Sequence, residues 1–135
     1  MTVSRRTVLV ISDGGPDSTD LLCRLIRLAG CKTLVSASTQ EAIDFVTTQN
    51  VDSVVIDWSA INEAGIGICR ALKAAHTRAP IFFFAPVRQQ ETTDKVLSSG
   101  AREVFAKPDG ISELIRTVSL APRADAASGT ESNQD

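Results

Sequence analysis

The chain of 135 residues has no second histidine beside His76, no CxxC pair, no long apolar run and no excess of basic charge. Each absence removes a class of function. One histidine and three cysteines scattered at Cys23, Cys31 and Cys69 make no zinc site and no disulfide framework, so the thiols are read as small buried apolar side chains. The opening "MTVSRRTVLVIS" carries two arginines, but its apolar run extends only from Val8 to Ile11, too short for a signal core or a membrane span. A cytoplasmic location is therefore expected. The net charge is −2, and the last fifteen residues set Arg123 against Asp125, Glu131 and Asp135, which leaves the body of the chain near neutral. Nucleic acid is an unfavourable partner for such a surface. No internal repeat and no further low-complexity tract interrupts the chain.

What is present is enough for one domain. An apolar content of 43% over this length allows burial of about two-thirds of the extended surface. Residues 1–120 form that expected unit. The tail "APRADAASGTESNQD" lacks apolar periodicity and is expected to be a disordered tail or a linker stub.

Short apolar runs, "TVLVI", "TLVSA", "SVVID", "PIFFFA" and "EVFA", alternate with helical patterns of roughly twenty residues. The first helix is expected to be capped by Asp17 or Ser18, to bury Leu21, Leu22, Leu25, Ile26 and Leu28, and to stop at Gly30. The second opens with Ser38 and Glu41 at capping-box spacing and buries Ala42, Ile43, Phe45 and Val46. The third has Ile66, Cys69, Leu72 and Lys73 and runs to His76; the fourth, from about Glu91 to Ser98, has only Val96 and Leu97 and is expected to be the loosest. The fifth uses Ile111, Leu114, Ile115 and Val118. Strands apolar on both faces and joined by helices imply a doubly wound α/β fold with a five-stranded parallel sheet. The expected strand order is 2-1-3-4-5, the flavodoxin-like arrangement, whose ligand crevice lies outside the carboxyl ends of strands one and three.

That rule gives meaning to "SVVIDWSAI", where an apolar strand ends on a single carboxylate, Asp57. The carboxyl ends of the central strands carry Ser12 and Asp13, then Asp57, Ala85 and Lys107. Two carboxylates with backbone carbonyls and water make a hard-oxygen environment suited to magnesium, and Lys107 faces the same anionic site as a point charge. A carboxylate so placed can attack a phosphoryl group, since metal and amine neutralise the transferring oxygens. Each residue alone is ordinary at a strand end; their coincidence at three strand ends carries the reading.

From about Thr7 to Val118 the chain resembles the receiver domains of two-component response regulators. The marks are "VLVISD", "VVIDW", Gly65 eight residues beyond Asp57, and "SSGAREVFAKP". The resemblance implies phosphorylation of Asp57 by a histidine kinase or phosphotransfer protein in a phosphorelay, and signalling to a downstream protein rather than enzyme catalysis. It implies magnesium held by Asp57, Asp13 and the Ser59 carbonyl, with Lys107 on the phosphoryl oxygens ahead of a cis Lys107–Pro108 bond. The chain departs from the family pattern at several positions: Ser12 stands where a second acid is usual, Ala85 replaces a Ser or Thr, Val104 replaces an aromatic, and Ala60 and Ile61 replace a Met-Pro pair. These departures suit an alternative, a phosphorylation-independent pseudo-receiver that works as a protein-interaction module.

Other motifs are weaker. "SDGGPDS" lacks the P-loop lysine, and Ile11 stands where the nucleophile of a dehalogenase-like phosphatase would be, so Gly14 and Gly15 read as loop formers. Trp58, the only tryptophan, is expected to be half covered in a loop, and Phe82 to Phe84 to be core.

Overall fold

The computed structural model describes residues 5–12, 16–58, 62–75, 77–87 and 90–120, with the backbone alone at 16–18. Five strands and five helices alternate through these residues: β1 Thr7–Ser12, α1 Pro16–Leu28, β2 Lys32–Ser36, α2 Thr39–Thr48, β3 Ser53–Asp57, α3 Glu63–Ala74, β4 Ile81–Ala85, α4 Gln90–Ser98, β5 Glu103–Ala106 and α5 Ile111–Leu120. All pairings are parallel and the strand order is β2-β1-β3-β4-β5, as the alternating pattern requires. Among the described residues no helix is long and apolar enough to cross a membrane.

The strand period of two divides the core between the two faces of the sheet. Leu9, Ile11, Val54, Ile56, Ile81 and Phe83 pack with Ala42, Ile66, Leu72 and Val96 of α2, α3 and α4. Val8, Val10, Val55, Phe82, Phe84 and Phe105 pack with Leu22, Ile26, Leu114 and Val118 of α1 and α5. The phenylalanines at 82 to 84 are therefore core on both faces, and all three cysteines are buried as reduced thiols outside any disulfide, as the composition indicated.

Helix ends follow local chemistry. Gly30, at φ 95°, closes α1 with paired bonds from its own N–H to the Arg27 carbonyl and from the Cys31 N–H to the Ile26 carbonyl, a Schellman arrangement that favours glycine. Ser38 caps α2 by accepting from the Glu41 N–H at 3.1 Å, while its own N–H donates to Ser36 Oγ at 3.3 Å.

Several expectations are corrected. Helix α1 begins at Pro16, whose fixed φ and missing N–H suit a first helical position, so Asp17 and Ser18 lie within the first turn and are not caps. Leu21 and Leu28 are 50% and 77% exposed, because the buried phase of α1 runs through Leu22, Cys23 and Ile26. Strand β2 lies at the sheet edge with Val35 exposed, so it is not apolar on both faces. In α3 the helix ends at Ala74 with Lys73 exposed, and His76 lies outside the described residues. On α4 only Val96 is buried, with Leu97 turned outward.

Candidate functional site

Strand register brings the site together before any side chain is considered. Ser12 of β1 is the direct neighbour of Asp57 on β3, Asp57 neighbours Phe84 on β4, and Ala85 neighbours Ala106 on β5, immediately before Lys107. Period-two alternation then puts Asp57 on the α1/α5 side with Val55, and Trp58 on the α3 side with Ile56.

Asp57 is 2% exposed, which is costly for a carboxylate unless it is paired and hydrogen-bonded. Lys107 Nζ lies 2.6 Å from Oδ1, and the Thr19 hydroxyl donates to Oδ2 at 2.6 Å. Thr19 reaches the site from the first part of α1, where it holds the same helical phase as Leu22, Cys23 and Ile26. Ser12 Oγ lies 3.0 Å from Thr19 Oγ1. Because the single Thr19 proton is given to Asp57, Ser12 is the donor in that contact, and the two hydroxyls form a short relay onto the carboxylate. Lys107 also sits 5.3 Å from the centroid of the Phe84 ring, and Lys107–Pro108 is cis.

The ion pair leaves part of Asp57 unspent. Among the described residues Oδ1 is buried and makes no aligned hydrogen bond even though the ammonium is close, which leaves one lone-pair direction there for a cation or a phosphorus atom. The described side-chain oxygens here are the Asp57 carboxylate, the Thr19 hydroxyl on its Oδ2 and the Ser12 hydroxyl behind Thr19, all hard donors of the kind magnesium accepts. Asp13 and Ser59, the other expected holders of the metal, and the Ala60–Ile61 departure lie outside the described residues. The structure thus joins Asp57 with Lys107 and adds Thr19, which strand ends alone could not suggest.

Trp58 departs from expectation. It is 7% exposed, with its ring against Gly65: a Cβ at that glycine would stand 3.4 Å from Trp58 Cδ1 and 3.3 Å from Phe83 Cε2. Asn62 Oδ1 accepts from Trp58 Nε1 at 3.0 Å and from the Gly65 N–H at 3.1 Å, so one oxygen both caps α3 and holds the indole. An indole with a hydrogen-bond partner and a glycine to lie on can be buried; the loop position alone did not reveal either.

A five-stranded parallel sheet of order 2-1-3-4-5 with an Asp–Lys pair at the carboxyl ends of its strands is a narrower class than a doubly wound fold at large. The family model for the response regulator receiver domain matches residues 8–119, and the chain belongs to that family. It is 24% identical over 112 residues to the phosphate regulon transcriptional regulatory protein PhoB of Pseudomonas aeruginosa, covering 82% of this chain and 48% of that protein. It is 31% identical over 105 residues to the regulatory protein VirG of Rhizobium radiobacter, covering 76% of this chain and 39% of that protein. The chain thus spans about half the length, or less, of these curated relatives. The receiver domain of the Francisella response regulator 1452 superposes with a TM-score of 0.72 at 27% identity, over 84% of this chain and 93% of that one.

Proposed function

We propose that this receiver domain accepts a phosphoryl group on Asp57 from a histidine kinase or phosphotransfer protein and passes the signal to a downstream protein partner. The observation that carries the proposal is the buried Asp57 carboxylate with Lys107 at 2.6 Å and, among the described residues, no aligned hydrogen bond on Oδ1. In the transfer, a carboxylate oxygen attacks phosphorus while the donor's bond to phosphorus breaks and the donor keeps its electron pair. Lys107 supplies a fixed positive charge where the phosphoryl oxygens arrive, and the low exposure of Asp57 strengthens that interaction. Magnesium, held by Asp57 with Asp13 and the Ser59 carbonyl, would when bound neutralise the same oxygens. Ser12 in place of an acid makes that binding weak.

Residues 1–120 are taken as the receiver unit and 121–135 as a tail or linker stub, a boundary supported by the family match ending at residue 119. The protein is placed in the cytoplasm, where histidine kinases present their phosphoryl groups. A second reading, a pseudo-receiver that signals by binding alone, is favoured by Ala85, a fully buried methyl where the resembling domains carry a hydroxyl.

The test is incubation with acetyl phosphate and magnesium, followed by intact mass and Phos-tag electrophoresis. Wild-type protein should gain one hydroxylamine-labile phosphoryl group, and Asp57→Asn should gain none. Unmodified wild-type protein would establish the pseudo-receiver reading.

A further inference from the structure

We propose that the Thr19 hydroxyl shortens the lifetime of the phosphoryl group on Asp57 by stabilising the free carboxylate more than the phosphorylated one. The proposal rests on Asp57 being the phosphoacceptor. Its basis is the 2.6 Å bond from Thr19 Oγ1 to Asp57 Oδ2, within the short range expected for a hydroxyl on a charged carboxylate. The Ser12 hydroxyl, 3.0 Å behind it, polarises the Thr19 donor further.

Charge decides the direction. A free carboxylate shares a full negative charge between its two oxygens, whereas phosphorylation turns one oxygen into an ester-like bridge and the other into a neutral carbonyl. Hydrogen bonds to ionised acceptors are roughly twice as strong as those between neutral groups, so the Thr19 bond weakens or breaks when the phosphoryl group arrives, whichever oxygen takes it. In hydrolysis, water attacks phosphorus, the bond from phosphorus to Asp57 breaks, and its electron pair returns to the carboxylate while the water proton leaves with phosphate or solvent. Charge grows on the oxygen that Thr19 faces, so the same hydroxyl speeds the loss. No other described hydroxyl plays this part, since the end of β4 carries only Ala85.

The experiment compares wild type, Thr19→Val and Thr19→Ser after loading with acetyl phosphate and magnesium, then removal of the donor, with the phosphorylated fraction followed by Phos-tag electrophoresis. Thr19→Val keeps the shape and removes the donor, and should extend the half-life about three- to tenfold and raise the loaded fraction. Thr19→Ser restores the donor and should return to within about twofold of wild type, a rescue that a purely structural role of the threonine methyl would not give. Thr19→Ala, a good helix former, repeats the test if the valine variant fails to fold. Ser12→Ala should move in the same direction by less.

The outcomes separate this proposal from the reading beneath it. Wild-type protein that is phosphorylated, with Thr19→Val showing an equal or shorter half-life, overturns the Thr19 role and leaves the phosphoacceptor intact. Modification of Thr19→Val but not of wild type supports the proposal and shows that the relay holds the acceptor silent. If no form is modified, the phosphoacceptor reading fails and takes this one with it.

Discussion

Asn62 offers a sharp test of how Trp58 and the start of α3 are held. Its side-chain oxygen accepts two bonds, from the Gly65 N–H at the start of α3 and from the buried Trp58 indole. Truncation to alanine removes a helix cap, at about 1 kcal/mol, and leaves an indole N–H without its partner, at about 1 to 3 kcal/mol. Because Asn62 is itself exposed, water can reach part of the vacated space, so the lower half of the second range applies and the sum is about 2 to 3 kcal/mol.

For a domain of this size, with a urea m-value of about 2 kcal/mol/M, the unfolding midpoint should fall by about 1 to 1.5 M. Asn62→Asp keeps the acceptor and adds negative charge at the helix N-terminus, so it should stay within about 0.5 kcal/mol of wild type. Asn62→Gly costs only a few tenths, about 0.3 kcal/mol, as a cap, so its remaining loss isolates the indole bond. A double-mutant cycle with Trp58→Phe, followed by circular dichroism, should return a coupling of about 1 kcal/mol or more. A midpoint for Asn62→Ala within error of wild type, or equal losses for alanine and aspartate, would refute the reasoning.

Further expectations concern the thiols, the surface and the metal. Burial pushes the Cys23 thiol above its ordinary value of 9.0, with Arg27 opposing and Asp57 adding to the rise, and burial does the same at Cys69. Both should resist a water-soluble disulfide reagent until urea unfolds the chain. Since the folded thiols hold their protons longer than unfolded ones, the stability they contribute is whole below pH 9.0 and should decline as pH climbs above it, in a urea titration read by Trp58 fluorescence. Lys95 and Glu63 meet at 2.6 Å between α4 and α3, but both are more than half exposed, so Lys95→Ala should leave the unfolding midpoint unchanged within error. Ser12→Asp should tighten magnesium binding about tenfold in a Trp58 titration, because a charged oxygen replaces a neutral one beside Asp57.

The sheet was legible because its signal is one-dimensional: runs such as "VVI" at 54–56 and "IFFFA" at 81–85 are apolar at every position, and a parallel central strand is the structure that buries them. Register then follows from topology, which is why Asp57 and Lys107 could be paired across fifty residues of chain. Thr19 was hidden by a phase error. Choosing every leucine of α1 as core placed Leu21 and Leu28 inside, whereas the spacing of Thr19, Leu22, Cys23 and Ile26 is the i, i+3, i+4, i+7 set of one helical face. Read in that phase, a threonine at the top of an apolar stripe points where the strand ends converge. The indole of Trp58 was hidden for another reason: its burial depends on Gly65 and Asn62 acting together, and neither residue announces a tryptophan partner.

Under the proposed function, Ala85 and Val104 limit how the site can act on the far side of the sheet. Ala85 is wholly buried at the end of β4, in the cluster shared with Ile66 and Val96, and half-buried Val104 packs against that cluster from β5. Asp57 faces the other side of the sheet, toward α1. In the resembling receiver domains a hydroxyl at the Ala85 position reaches the phosphoryl oxygen, and an aromatic at the Val104 position moves into the space it vacates. A ligand shifts a conformational equilibrium only through contacts that differ between the two states, and a methyl offers the phosphoryl group no hydrogen bond. Among the described residues the groups that touch Asp57 lie on the α1/α5 side, Lys107 at Oδ1 and Thr19 at Oδ2, and a phosphoryl group on Asp57 would act on these first. Beryllofluoride, standing in for the phosphoryl group, should therefore shift the amide signals of Ser12, Thr19, Asp57 and Lys107 and leave those of α4 and Val104 nearly in place. Large, saturable shifts across α4 and β5, or a beryllofluoride-driven dimer in sedimentation, would show that the signal crosses the sheet by a path that needs neither the hydroxyl nor the aromatic.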